Sequence, residues 1–285
     1  MTVSFEDIDR FLGEQRWSMN TVDRYRRALE QLFAEVEDPS ALDAVNFRVW
    51  LESHGWGMSA QWVAYSAVKG YLKWKYGAQH PALSLKIKRA VTPPQRVLRV
   101  PQIKDLLASF NTSTAKGRRD LAMCGIFLDT GLRVSEICRL SLRFLYLDEQ
   151  RLQVIVKGGQ WSWRAFSDYT TTWISAWLAD RSSLVNGNVD EVFVGVGGNT
   201  PGKPMTRHGV QCVVKAWGKQ AAIGKLSPHD FRRSMASVAT LMGAPEDIVM
   251  KGGGWKDHNV FRRYTVGVTA DDLRPYFPTS AAMER

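Results

Sequence analysis

The stretch RLQVIVKGGQWSWRAF, residues 151–166, decides the fold class. Two runs rich in Val, Ile, Trp and Phe flank Gly158 and Gly159, and such runs around a Gly-Gly turn form a β-hairpin or small sheet. On both sides the apolar period changes from two to that of a helix. Downstream, helices are expected over 207–222 and 230–242, followed by a glycine-rich break at 252–254 and a last segment to 274. Upstream, a short helix is expected around 5–12. NTVDRYRRALEQLFAEV, residues 20–36, then offers Asn20 or Thr21 as a cap and Tyr25, Leu29, Leu32, Phe33 and Val36 at helical spacing. Segments 44–53 and 59–76 repeat that pattern. The expectation is a mainly α protein with a small β-sheet.

A chain of 285 residues exceeds the ~100–200 of one typical domain. Residues 1–86 read as a small, basic, all-helical domain, with Arg24, Arg26, Arg27, Lys69, Lys73 and Lys75 among its polar positions. Residues 101–285 read as a second domain holding the hairpin. Between them, in LKIKRAVTPPQRVLRVPQ (85–102), Pro93 and Pro94 block helix while Lys86, Lys88, Arg89, Arg96 and Arg99 concentrate charge. A basic linker over 87–100 is expected, an extended strap suited to a phosphate backbone.

The net charge of +10 points to a polyanionic partner, with nucleic acid first. Cys124, Cys138 and Cys212 are three in number and lack CxxC spacing, so they read as reduced, buried thiols. The start, MTVSFEDIDRFLGEQ, is acidic where a signal peptide is basic, and no run of ~18 apolar residues occurs. A cytoplasmic location is expected, at the nucleoid or, for an element-encoded protein, in the host cytoplasm.

Four short motifs stand out: TGLRVSEI with Arg133 and Glu136, VKGGQ with Lys157, SPHDFRRS with His229 and Arg232, and GGWKDHNVFRRYTV with Trp255 and, nine residues on, Tyr264. Singly each has an ordinary explanation. Arg133 and Glu136 could be a helix ion pair, Lys157 a turn lysine, His229 a cap, Trp255 a core aromatic and Tyr264 a surface tyrosine. In combination and order they resemble the tyrosine recombinase, or phage integrase, family, whose members carry Arg, Lys, His-x-x-Arg, His or Trp, and Tyr. The resemblance spans the chain, and the N-terminal helices resemble that family's core-binding (SAM-like) domain.

The resemblance implies a two-domain clamp on double-stranded DNA, four protomers on paired core sites, a 3′-phosphotyrosine intermediate and a Holliday junction, serving integration, excision or resolution, as in mobile elements. It makes Tyr264 the nucleophile. Arg133 and Arg232 are then the clamp on the scissile phosphate, since guanidiniums are always charged and bond oxyanions bidentately. A tyrosine hydroxyl with a pKa of ~10 needs a neighbour that accepts its proton or cations that lower its pKa, which His229 and the arginines can supply. Lys157 is placed to protonate the departing 5′ oxygen. Trp255 departs from the commoner histidine and offers one indole N–H but no proton shuttle. Glu136 is expected to orient an active-site partner, and nearby His258 to be structural or phosphate-facing.

Arg24, Arg26, Arg27, Lys69, Lys73, Lys86, Lys88 and Arg89 are the candidate DNA contacts. No metal, cofactor or ATP is called for, because a phosphotyrosine bond conserves the energy of the phosphodiester. Two alternatives are a type IB topoisomerase-like enzyme, which shares the active-site chemistry, and a catalytically silent DNA-binding protein of the same fold; a helix-turn-helix regulator would explain the charge but not the motif spacing. After Tyr264, the tail presents Val266, Val268, Leu273, Tyr276 and Phe277, which need a surface to cover them. They could pack in cis on their own catalytic domain; the resemblance implies docking in trans, on the next protomer of a closed ring.

Overall fold

The Ser18 hydroxyl accepts the Thr21 N–H, fixing the start of the first long helix. The cap therefore lies two residues before Asn20, because Ser18 keeps the extended backbone that a cap requires while Asn20 is already helical. The computed structural model describes residues 5–88, 96–156, 159–198 and 200–262. Arg89, Lys157, Tyr264 and the tail after Tyr264 lie outside the described residues. Two compact units are formed, Met1–Thr92 and Pro93–Arg285.

The first unit is four α-helices, α1 (Phe5–Gly13), α2 (Met19–Glu35), α3 (Ala44–Ser53) and α4 (Met58–Tyr76). In α4, Ala64, Tyr65, Ala67, Val68, Tyr71 and Leu72 recur at helical spacing and are all buried. Against this stripe pack Ile8 and Phe11 of α1, Leu29 and Leu32 of α2, and Phe47, Trp50 and Leu51 of α3. Each such side chain contributes about 1.5–3 kcal/mol by leaving water, so the shared core rather than helix propensity holds the unit together.

The second unit contains α5 (Val100–Ala108), α6 (Ala115–Thr130), α7 (Val134–Ile137), a sheet of β1 (Leu145–Tyr146), β2 (Arg151–Ile155) and β3 (Trp161–Ala165), then α8 (Asp168–Leu184), α9 (Arg207–Gln220), α10 (Pro228–Leu241), α11 (Glu246–Gly253) and α12 (His258–Arg262). The sheet is antiparallel in the order β1-β2-β3, with Leu152 opposite Arg164 and Val154 opposite Ser162. Helix α6 is buried on nearly every side because α8 and α10 both pack on it. Phe127 of α6 stacks on Phe231 of α10 at 5.4 Å. This contact sets the depth of α10, the helix that carries the His-x-x-Arg motif.

Several sequence expectations are corrected. The glycine-rich break at 252–254 is one residue, since Gly252 and Gly253 continue α11 and only Gly254, at φ +70°, turns the chain out. Within the stretch read as a linker, residues 96–99 are held on the second unit. Leu98 is fully buried with its N–H on Ser234 Oγ, and the Arg96 guanidinium donates to the carbonyls of Lys225 and Ile223. Arg96 thus satisfies backbone acceptors instead of facing outward as part of a strap. Of the cysteines, Cys124 is buried, Cys138 partly so, and Cys212 exposed, because it lies on the outer face of α9.

Candidate active site

Helix α6 ends where Gly131 adopts φ +60°, a left-handed conformation that only glycine takes without strain. The reversal buries Leu132 and brings Arg133 out as the cap of α7. Glu136, almost fully buried, then bonds Arg133 twice. Its Oε2 accepts the Arg133 N–H and its Oε1 accepts from Nη1, both at 2.8 Å. The three-residue spacing is therefore an ion pair, one that fixes a half-exposed guanidinium from below.

Arg232 reaches the same turn from α10. Its Nη1 donates to the carbonyl of Gly131 at 2.7 Å, tying the two arginine-bearing segments together. Arg232 is 1% exposed. Its Cζ lies 4.0 Å from the centre of the Trp255 ring, a cation–π geometry. Trp255 is held in turn by a small cluster of Ala236, Val249, Met250 and Phe261, with the Phe261 ring edge-on at 5.3 Å. Gly253 makes room for the indole, because a Cβ there would overlap the six-membered ring.

His229 sits in the first turn of α10, three residues before Arg232 and beside Asp230, whose carboxylate caps Ser227 and pairs with Arg233 at 2.8 Å. The imidazole keeps solvent access. Crowding by the protein, then the charges of Arg233, Arg232 and Arg133, lower its pKa below the ordinary 6.5, with Asp230 opposing. A ring so placed is neutral at pH 7 and able to accept a proton. The folded chain binds this proton less readily than the unfolded one, so the group's effect is to lower folding stability as pH falls through 6.5 toward the folded midpoint. An NMR titration of His229 should give a midpoint below 6.5, and one at or above that value would reverse this electrostatic account.

Lys157 and Tyr264 lie outside the described residues, but their flanks are described. The hairpin turn is closed by Val156 N–H to the Gln160 carbonyl at 2.8 Å. Lys256, next to Trp255, donates to Gln160 Oε1 at 2.5 Å. The Lys157-bearing hairpin and the segment leading to Tyr264 therefore meet. His258 bonds Glu246 at 3.1 Å.

The candidate DNA contacts of the first unit fall into two groups. Arg24, Arg27, Lys73, Lys86 and Lys88 are exposed. Arg26 is engaged with Asp9 at 2.6 Å and with Glu30, and Lys69 donates to the Tyr65 hydroxyl at 3.0 Å. Sequence reasoning passed over Arg164, which packs beside the cluster around Trp255. It occupies an inward position on β3 between outward Trp163 and Ala165, 2% exposed, and lies beside Gly254. Strict alternation in WSWRA was the available signal, since it places a charge where the core face should be. Among the described residues, no three His, Cys, Asp or Glu side chains gather as a metal site would require.

The model of the phage integrase family matches residues 96–268, a span that contains all four motifs. The chain belongs to the phage integrase family. These are the tyrosine recombinases, enzymes of site-specific recombination. The chain is 28% identical to tyrosine recombinase XerD of Neisseria meningitidis over 272 residues, covering 90% of this chain and 92% of the relative. It is 30% identical to tyrosine recombinase XerC of Xylella fastidiosa over 246 residues, 81% of each. The Tn1549 transposon integrase, solved with transposon right end DNA, superposes with a TM-score of 0.74 at 16% identity over 99% of this chain and 100% of that one. A mainly helical chain with a small three-stranded sheet is the fold of this phage integrase family member. Among the described residues, no helix is long and apolar enough to cross a membrane.

Proposed function

We propose that this recombinase cuts and rejoins double-stranded DNA through a 3′-phosphotyrosine bond at Tyr264. The observation that carries the reading is the joining of Arg133, Arg232 and Trp255 into one cluster, with the Arg232 Nη1 on the carbonyl of the turn that presents Arg133. Two guanidiniums from separate elements, with a neutral imidazole alongside, match the needs of a phosphoryl transfer, where charge grows on the non-bridging oxygens. In the forward step the Tyr264 oxygen attacks phosphorus and its proton passes to His229. The bond to the 5′ oxygen breaks, and that oxygen takes a proton from Lys157. A 5′ hydroxyl from a second duplex then reverses the step, which leads through a Holliday junction.

The first unit would hold the other face of the DNA through Arg24, Arg27, Lys73, Lys86 and Lys88, and the two units would act as a clamp. Four protomers would assemble on paired core sites, each tail docking on its neighbour. Neither metal nor ATP enters, because the energy of the broken phosphodiester stays in the phosphotyrosine. The test begins with a core site selected by binding from a randomised duplex pool and rebuilt as a nicked suicide substrate. In EDTA the chain should accumulate a covalent adduct carried on the Tyr264 peptide, and an absolute need for a divalent metal would sink the scheme.

The role of Lys157 predicts a selective rescue. Lys157→Ala should cleave slowly, by the ~10²–10⁴-fold that a positioned acid contributes, yet recover on a 5′-phosphorothiolate, whose sulfur leaves without a proton. Arginine variants should gain far less. Equal rescue of both classes removes Lys157 as the acid.

A further inference from the structure

Arg164 is a buried charged side chain that uses only part of its hydrogen-bonding capacity among the described residues. It projects inward from β3, opposite Leu152 of β2, where an aliphatic residue would complete the core face. Its Nη1 is anchored locally, on Ser162 Oγ and on the Trp163 carbonyl at 2.7 Å. Neither Nε nor Nη2 has a hydrogen-bond partner among the described residues, and both atoms are buried. Leaving such donors without acceptors costs about 1–3 kcal/mol, more on a charged group. Burial accordingly holds this guanidinium below the ordinary arginine range, with Glu136 favouring and Arg133 opposing its charge.

The geometry shows what kind of acceptor is missing. Nε and Nη2 are the two parallel donors of one guanidinium edge, the fork that matches two oxygens of a phosphate or carboxylate. A Cβ on Gly254 would overlap Nη2, so Arg164 packs directly against the residue before Trp255. The left-handed turn at Gly254 thus accommodates the guanidinium as well as ending α11. Depth does not argue against access to DNA, because Arg232, 1% exposed, is as deeply set as Arg164 at 2%.

We propose that Arg164 is a third phosphate-binding arginine of this active site, its Nε and Nη2 edge receiving the non-bridging oxygens of the DNA phosphate at which the strand is cut. The proposal rests on the phosphotyrosine reading above. It assigns to β3 a positive charge next to Trp255, whose indole brings none. An arginine kept for a substrate it meets only in the complex should be a burden on the chain alone, since a desolvated charge without a full set of partners destabilises a core.

The test compares the chain with Arg164→Met and Arg164→Lys on two nicked duplexes, one with a normal phosphodiester and one with a neutral methylphosphonate at the cleavage position. Covalent adduct formation by Arg164→Met should fall by about 10²-fold on the phosphodiester, as for loss of one transition-state donor. It should fall much less on the methylphosphonate, so the ratio of the two rates drops by at least about tenfold. The Tm of Arg164→Met without DNA should equal or exceed that of the parent chain. Arg164→Lys, which keeps the charge but not the fork, should fold and show the same change of ratio to a smaller degree. An unchanged ratio in both variants, or a lowered Tm with equal loss on both duplexes, makes Arg164 a structural residue and overturns the proposal. Absence of any adduct with the parent chain would instead overturn the phosphotyrosine reading itself.

Discussion

Tyr264→Phe should form no covalent adduct on the nicked suicide substrate while binding the same duplex as tightly as the parent chain. The substitution removes a single oxygen and keeps the ring. What is lost is the atom that would become bonded to phosphorus. The expected change is complete, from stoichiometric trapping to none, with affinity measured by gel shift as the control. Phosphoryl transfer also requires the nucleophile to sit in line with the leaving oxygen, so a second tyrosine would not substitute for it. Normal adduct formation by Tyr264→Phe would move the nucleophile to another residue and dissolve the ordered mechanism built on the four motifs.

Arg232→Ala should slow cleavage by at least ~10²-fold, the equivalent of about 2.7–4 kcal/mol of lost transition-state stabilisation. Its effect should exceed that of Arg133→Ala. Arg133 is half-exposed and pairs with Glu136, whereas Arg232 links three parts of the site. Removing it takes the donor from the Gly131 carbonyl and the cation from the Trp255 face, and leaves space in a buried region. A loss of stability of roughly 1–3 kcal/mol should accompany the catalytic defect, from the stranded buried carbonyl. Arg232→Lys separates the two effects. The lysine keeps a positive charge but cannot fork, so it should recover part of the stability and little of the rate. Cleavage by Arg232→Ala within a few-fold of the parent chain would exclude Arg232 from the phosphate clamp.

Local order was readable where residues near in sequence determine it. The hairpin strands and the amphipathic stripe of α4 follow from alternation and helical spacing, whereas α10, expected from Asp230, begins two residues earlier at Pro228. The helix starts were less legible. Ser18, Asn20 and Thr21 are all plausible caps, and only the backbone conformation of Ser18 separates them. Gly252 and Gly253 read as a break because glycine disfavours helix, but packing of α11 against β3 and α10 outweighs about 1 kcal/mol per glycine. Arg96 and Leu98 read as linker because their partners, Ile223, Lys225 and Ser234, are more than a hundred residues away.

The sequence by itself determined the fold class, the order of the motifs and the family, since each depends on residue type at short spacing. Only the tertiary structure decided which of those motifs touch. Arg232 meets the Gly131 carbonyl across 101 residues, and Trp255 meets Arg232 because Gly253 and the Phe261 cluster leave the indole one place to lie. Arg164 is the clearest case. In sequence it is one more polar residue on a strand, and its significance comes from being carried by the pleat into a buried position, with two donors that have no hydrogen-bond partner among the described residues. Spacing within a segment is written in the chain, whereas the partner of a buried charge is set by the packing of elements that are distant along it.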